Sequence, residues 1–272
     1  MRGPNLITLT TDFGLDDPFV GQFKGAILSR NINARIVDLT HAVAPHDILG
    51  AAMIINASYH FFPAGSVHVV VVDPGVGSRR MIVALRADEH LFIAPDNGVL
   101  TLILRDRKVQ ALHRAANRSL FLPQVSSTFH GRDIMAPVAA AVAGGLVLAE
   151  VGPEICVEQC RTLDIPRAHH DRSGITGAVT GMDRFGNIRT SITAADLDRH
   201  RSTAIAGIEI GADRIHTVVS TYSDRPAGEL LALIDSSGHL EIAVNRGNAA
   251  MRTGCRIGDP VRVLLGGGTG PP

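Results

Sequence analysis

The chain has 272 residues, 45% of them hydrophobic and 19% charged, with 26 Lys plus Arg set against 26 Asp plus Glu. That length and apolar content suit one large or two modest soluble domains with a sizeable core. A formal net charge of zero, without a basic stripe or an acidic tail, argues against nucleic acid or an anionic membrane as the main partner.

No apolar run approaches the length of a membrane span, and MRGPNLITLTTDF passes straight into a strand pattern without a signal-peptide core. A cytoplasmic location is expected. Cys156, Cys160 and Cys255 are sparse and lack metal-like spacing, so neither a disulfide framework nor a structural zinc is expected, and no metal site is assigned.

In the first half, strand and helix patterns alternate as in a mostly parallel sheet with crossover helices on both faces. LITLTT (6–11) reads as the first strand. Residues 18–30 then place Phe19, Val20, Phe23, Ala26 and Ile27 on one helical face, with Asp17 as the expected N-cap and Pro18 at the first helical position. ARIVDLT (34–40) is the next strand, followed by a helix over 47–62 carrying Ile48, Ala51, Ala52, Ile55 and Tyr59. SVHVVVVD (66–73), MIVALRA (81–87) and HLFIAPD (90–96) read as strands, and IMAPVAAAVAGGL as a helix that tolerates Pro137 only in its first turn.

Residues 1–163 are thus expected to form an α/β domain. TLDIPRAHHDRSG loses hydrophobic periodicity, which marks a linker over 164–174. Downstream, GITGAVTGMD, GNIRTSI, TAIAGIEIG, RIHTVVSTYS, ELLALIDSSG, HLEIAVN and DPVRVLL are short strands between turn residues. They predict a smaller all-β, barrel-like domain over 175–266, with a tail at 267–272.

Ligands of open α/β sheets bind beyond the carboxyl ends of the strands. Several strands here deliver an acid to that edge: Asp12 after LITLTT, Asp73 after HVVVV, and Asp96 with Asn97 after LFIA. Any one of them alone reads best as a cap or turn former. Together they imply a partner that relieves like-charge repulsion. TTDFGLDDPFVG adds Asp16 and Asp17, and carboxylates suit the vicinal hydroxyls of a ribose. The loop has neither a P-loop lysine nor a G-x-G-x-x-G spacing, so a nucleoside or a cation is a better candidate than a phosphate. His130 in STFHGRDI, alone, is a structural histidine. Combined with Asp73 and an arginine about seven residues on, it could orient a water and handle its proton. No G-x-S-x-G elbow supports a serine hydrolase.

TTDFGLDDPFVGQFKGAI, DLTHAVAPHDILGAA, VVVVDPGVGSRR, IAPDNGVL, STFHGRDIMAPVAA, DRFGNIRTSI and SSGHLEIAVNRGNAA occur in this order along nearly the whole chain. In these stretches the chain resembles the S-adenosylmethionine (SAM) hydrolases, or SAM hydroxide adenosyltransferases, which share a fold with the SAM-dependent fluorinase and chlorinase. The resemblance implies an N-terminal α/β domain, a C-terminal β domain, and a homotrimer holding SAM between neighbouring subunits. It implies a catalytic set of Asp73, Arg80 and His130, with Arg79 adjacent to the assigned arginine. Asp12 is implied to hold the ribose hydroxyls and His46 to lie beside the ribose. Asp183, Phe185 and Asn187 are implied to meet the adenine and methionine portions, and Ser236, Asn245 and the NRGNAA backbone to complete the pocket. Asp16 and Asn97 join this set from their places at the strand ends.

The implied reaction is attack of water or hydroxide on the 5′-carbon of SAM, giving adenosine and methionine, with SAM as substrate and no cofactor. Halogenases of the same fold carry an aromatic and threonine-containing loop where this chain reads DPGVG, and Asp73 would repel a halide. A 5′-halo-adenosine synthase, disfavoured by Asp73, is the first alternative. A SAM or adenosine binding protein without turnover is the second.

Overall fold

The computed structural model describes residues 4–266, and the tail expected at 267–272 lies outside the described residues. The chain divides into two units between Leu163 and Asp164. The first begins with β1 (Leu6–Thr11), α1 (Phe19–Arg30), β2 (Arg35–Thr40), α2 (Ile48–Ser58) and β3 (Val67–Val71). It continues with β4 (Ile82–Ala87), β5 (His90–Pro95), α3 (Thr101–Asp106), β6 (Val109–Arg114) and α4 (Ala136–Ala143).

These strands form one sheet in the order β2-β1-β3-β5-β4-β6. β1 runs parallel to β2 and β3, and β3 to β5, whereas β4 is antiparallel to both β5 and β6. The antiparallel edge has a local cause. β4 and β5 are joined through Asp88 and Glu89, both at positive φ (46° and 66°), the backbone of a two-residue hairpin that follows strand twist.

β3 lies inside the sheet and is buried throughout. Val67, Val69 and Val71 pack with Phe23 and Ile27 of α1 and Val138 of α4, while Val70 and Val72 face Ala51 and Ile55 of α2 and Ile103 of α3. Helices on both faces explain why the segment reads as an unbroken valine run: both sets of alternating side chains are core. Thr8 and His68, paired in register on β1 and β3, bring a polar chain into this core. His68 Nδ1 lies 2.8 Å from Thr8 Oγ1, and its Nε2 lies 3.1 Å from His90 Nδ1.

Helix starts differ in detail from the sequence expectation. Asp47 caps α2, accepting from Gly50 N at 2.8 Å. Asp17 does not cap α1, which starts at Phe19 behind Pro18 without a side-chain cap bond. The third expected helix opens as a π-helical turn over Gly131–Met135 that runs directly into α4, and Pro137 falls at the second residue of α4, just past the change from π to α winding.

The second unit contains β7 (His169–Asp171), β8 (Gly174–Met182), β9 (Ile188–Thr193), α5 (Ala194–Asp198), β10 (Ile205–Ile210) and β11 (Asp213–Ile215). β12 (Leu230–Ile234), β13 (His239–Val244), α6 (Ala249–Thr253) and β14 (Pro260–Leu265) complete it. The antiparallel order is β11-β10-β14-β8-β9-β13-β12, with β7 paired to β8. A bridge between Val218 and Ala232 draws the two ends together, so the sheet is a nearly closed barrel around Ile175, Val179, Ile188, Ile208, Ile242 and Val263. β7 lies within the segment read as a linker, in a turn gathered by Asp171, whose carboxylate accepts from Ser173 N and Gly174 N. RIHTVVSTYS is strand only as far as Ile215.

Burial pushes the His68 imidazole down to about 3, helped by neighbouring His90. In the unfolded chain the same ring titrates near 6.5, so the unfolded state binds the proton first as pH falls. His68 therefore contributes stability that is fully present above 6.5 and lost as pH drops from there towards 3, at about 1.4 kcal/mol per pH unit. Urea unfolding between pH 7 and pH 5 should show this slope in the wild type and a flatter one in His68→Gln; parallel curves would contradict it.

Candidate functional site

The site grows from the end of β3. Asn97, just past β5, donates from Nδ2 to the Val72 carbonyl at 2.8 Å and accepts from Val99 N at 3.2 Å, which pins the two strand ends together. Asp73 follows immediately. Its carbonyl accepts from Val76 N, and that of Gly75 from Ser78 N, so residues 73–78 coil through successive turns that carry the chain back on itself. Gly77 sits at φ +78° with its α-carbon against the Ser127 carbonyl, where any Cβ would collide.

The returning loop delivers Arg80. Its Nε donates to both Asp73 oxygens at 2.7 Å, and its Nη2 also pairs with Asp73 Oδ2. The side chains are 3% and 5% exposed, so this ion pair is buried, whereas Arg79 is exposed. Arg80 is therefore the arginine that meets Asp73. Its Nη2 also reaches His130 Nδ1 at 3.1 Å.

His130 is placed by the entry to the π-helical turn. Gly131 lies flat on β3, where a Cβ would come within 3.1 Å of Val71 Cγ1. Phe129 packs edge-on against Phe13 and Phe19, each at 5.5 Å between centroids. Guanidinium groups only donate, so His130 Nδ1 must accept. The neutral ring thus carries its proton on Nε2, which has no protein acceptor among the described residues. Burial first, and the Arg80 charge second, push the His130 pKa below its usual value, against opposing pulls from Asp73 and Asp133. The array is a neutral imidazole offering one donor beside a buried ion pair.

At the adjacent strand ends, Asp12 Oδ2 accepts from His46 N at 3.0 Å, and His46 holds a left-handed backbone at φ 67°. The loops after β1 and β2 are joined further by Gly14 N to the His41 carbonyl and by Thr11 Oγ1 with His41 Nδ1, each at 2.8 Å. Asp12 and His46 are thus brought together, while Asp16 stands exposed.

In the second unit, Asp183 organises the turn between β8 and β9. Its Oδ1 accepts from Phe185 N and Asn187 N, and its Oδ2 from Asn187 Nδ2 at 3.0 Å. This turn presents Phe185 outward, 73% exposed. Asp183 and Ser236 line one cavity of about 330 Å³ together with Arg189, Tyr222, Asp235 and Glu241. Asn245 instead donates to the Arg225 carbonyl at 2.6 Å. Sequence reasoning missed Glu241, a buried acid whose Oε1 accepts from the Tyr222 hydroxyl at 2.8 Å. Its signal was a charge inside the buried run of β13. Burial, with Asp183 and Asp235 adding, raises the Glu241 pKa, and Tyr222 is raised to about 12. Among the described residues, no cluster of three or more His, Cys, Asp or Glu is arranged to hold a metal ion.

Removing the Arg80 charge should move the His130 pKa upward, because a nearby cation disfavours imidazolium. An NMR titration of Arg80→Gln should show this rise, and an unchanged or lower value would contradict the geometry. Gly77→Ala, which meets both the positive φ and the Ser127 carbonyl, should lower folding stability by at least about 1 kcal/mol in thermal or urea melts.

Two family models match the chain: the SAM hydroxide adenosyltransferase N-terminal domain over residues 7–152 and the C-terminal domain over 177–262. An (R)-S-adenosyl-L-methionine hydrolase of Salinispora tropica is 38% identical over 262 residues, covering 96% of this chain and 98% of that protein. The hydrolase of the same name from Thermus thermophilus is 37% identical over 261 residues, covering 93% and 97%. A crystal structure of an uncharacterized conserved protein from Thermotoga maritima superposes with a TM-score of 0.88 at 35% identity, covering 95% of this chain and 99% of that one. With both domains matched in order, and the Asp73–Arg80–His130 array inside the first, the chain belongs to the SAM hydroxide adenosyltransferase family.

Proposed function

We propose that this chain hydrolyses S-adenosyl-L-methionine to adenosine and L-methionine by attack of hydroxide on the ribose 5′-carbon. The observation that carries the reading is the buried Asp73–Arg80–His130 array at the end of β3, in a chain of this family. Oxygen supplies the electron pair for the new C5′–O bond, and the C5′–S pair returns to sulfur, which leaves as a neutral thioether. His130 cannot take the proton of water while Arg80 occupies Nδ1 and Nε2 already bears hydrogen. In this scheme its Nε2–H instead donates to the attacking oxygen. Hydroxide is drawn from solvent and leaves its proton there. The sulfonium favours hydroxide beside it, and its charge is neutralised as the bond breaks, which a dry site assists. Holding attacker and leaving group in line is worth ~7–11 kcal/mol in well-oriented reactions. The DPGVG loop that carries Asp73, in place of the aromatic and threonine-containing loop of the halogenases, supports the hydrolase over a halogenase.

Among the described residues Asp12 Oδ1 has no hydrogen-bond donor, and Asp12 is assigned to the ribose hydroxyls, with His46 beside it. Asp16, on the loop that carries Asp12, and Asn97, just past β5, are assigned to substrate contacts as well. Asp183 and Asn187 hold the turn that offers Phe185 to the flat adenine, and Asn245 steadies the segment at Arg225. The carboxylate-lined cavity with Ser236 suits the ammonium end of the methionine portion. The α/β unit to residue 163 is assigned the reaction centre. Membership of the SAM hydroxide adenosyltransferase family supports assembly of a homotrimer with substrate between subunits. No helix among the described residues is long and apolar enough to cross a membrane, and a cytoplasmic setting suits the three free thiols.

Incubation with SAM, with and without chloride or fluoride, should give adenosine and methionine in equal amounts without halide; no turnover, or a halide requirement, would overturn the proposal. Asp73→Ala should lower kcat by at least about a hundredfold with KM little changed, whereas Asp12→Ala should mainly raise KM. Equal loss of both parameters in both variants would refute this division. Protonation of His130 would break its bond from Arg80, so activity should fall on the acid side. The falling supply of hydroxide already lowers the rate as pH drops, and because the His130 pKa is lowered, the additional fall from its protonation should set in below pH 6.5 rather than at it.

A further inference from the structure

Asp133 is fully buried, ionisable and outside the array described above. Its Oδ1 accepts from Arg132 Nε at 2.6 Å, and its Oδ2 from Ser126 N at 2.8 Å and Arg132 Nη2 at 3.2 Å. Its main chain acts on the same segment: Asp133 N donates to the Phe129 carbonyl at 3.1 Å, and its carbonyl accepts from Leu122 N at 2.9 Å. One residue thus grips the stretch from Leu122 to Phe129 at both ends and in the middle, directly before His130.

The grip extends outward on two sides. Arg132 donates to Gln22 Oε1 of α1 at 3.0 Å and lies over the Phe129 ring at 5.0 Å, fixing the residue that precedes His130. On the other side, Ser127, next to the gripped Ser126, puts its carbonyl against Gly77 in the loop that delivers Arg80. A continuous path of contacts therefore joins Asp133 through Ser126, Ser127 and Gly77 to Arg80, and Arg80 to His130.

We propose that Asp133 is a positioning residue for the reaction, setting where the His130 segment meets the Arg80 loop and so holding the His130 ring under the Arg80 donor. This rests on the array being the reaction centre. Asp133 touches no reacting atom in the scheme above and acts through two loops. It also leaves an electrostatic mark, since its carboxylate joins Asp73 in pulling the His130 pKa upward against Arg80 and burial.

Asp133→Asn keeps an acceptor for Ser126 N and removes the charge that clamps Arg132. Arg132→Gln, altering a side chain that is 32% exposed, disturbs the same clamp while keeping an N–H donor beside the buried carboxylate. Nitrogen NMR of the His130 ring should show one neutral tautomer in the wild type and tautomer averaging in both variants. In Asp133→Asn the ring pKa should also fall, because a neighbouring negative charge has gone. With SAM, kcat should drop by at least about tenfold in Asp133→Asn while KM stays within about twofold. Folded variants, judged by circular dichroism, with an unchanged His130 spectrum and unchanged kcat would overturn the proposal, as would a loss confined to melting temperature. If Asp133→Asn does not fold, Arg132→Gln decides by the same measurements. Wild-type turnover in His130→Ala would instead bring down the reading of the reaction centre, and the ring spectra would still decide whether Asp133 positions His130.

Discussion

An ion pair removed from water is costly unless its geometry is close to ideal and its remaining hydrogen-bonding capacity is met. Asp73 and Arg80 meet that condition with three contacts between a guanidinium and a carboxylate, on side chains almost entirely buried. Removing one member of such a pair strands a charge in the interior, typically at a cost of about 3–5 kcal/mol. The surrounding loop answers to this demand. Val72 is pinned through Asn97, residues 73–78 coil tightly enough to bring Arg80 back over Asp73, and Gly77 gives room for the neighbouring segment. The helices stacked on both faces of β3 keep the strand end from yielding.

The pair also decides what the histidine can be. An imidazole within reach of a carboxylate alone would tend to hold an extra proton, but here the arginine stands between them and takes the ring lone pair at Nδ1. The site therefore does not follow the pattern in which a carboxylate orients a histidine that then accepts a proton. Its polarity is reversed, with the histidine as donor. That suits a reaction whose electrophile is already cationic and whose nucleophile is small, because the protein has only to place hydroxide and keep competing water out.

Much of this was legible in the residues. The amphipathic pattern over 18–30, the all-apolar valine run and the short turn-bounded strands downstream each matched an element, since hydrophobic periodicity reports directly on which faces are buried. Elements with little periodicity escaped. α3, α5 and α6 have five or six residues each, too few to show a repeat, and β7 has three. Asp17 looked like a cap by type and place, yet the chain enters α1 through Pro18 instead. Within the site, Asp73, Arg80 and His130 were visible as residues, but the choice between Arg79 and Arg80 depends on how residues 73–78 coil. The environments of Glu241 and Asp133 are made by tertiary packing, which no local pattern encodes.

The double burial of β3 has a consequence for how this architecture can vary. Alternate valines belong to different cores, so inserting or deleting one residue before Asp73 would exchange the two faces and turn every side chain towards the wrong helices. The reach of Asp73 beyond the sheet can therefore change only in steps that keep strand parity. Loop residues 74–79 carry no such restriction along their exposed positions. Variation in chemistry on this scaffold should accordingly collect in the loop, while the strand beneath it acts as a fixed ruler.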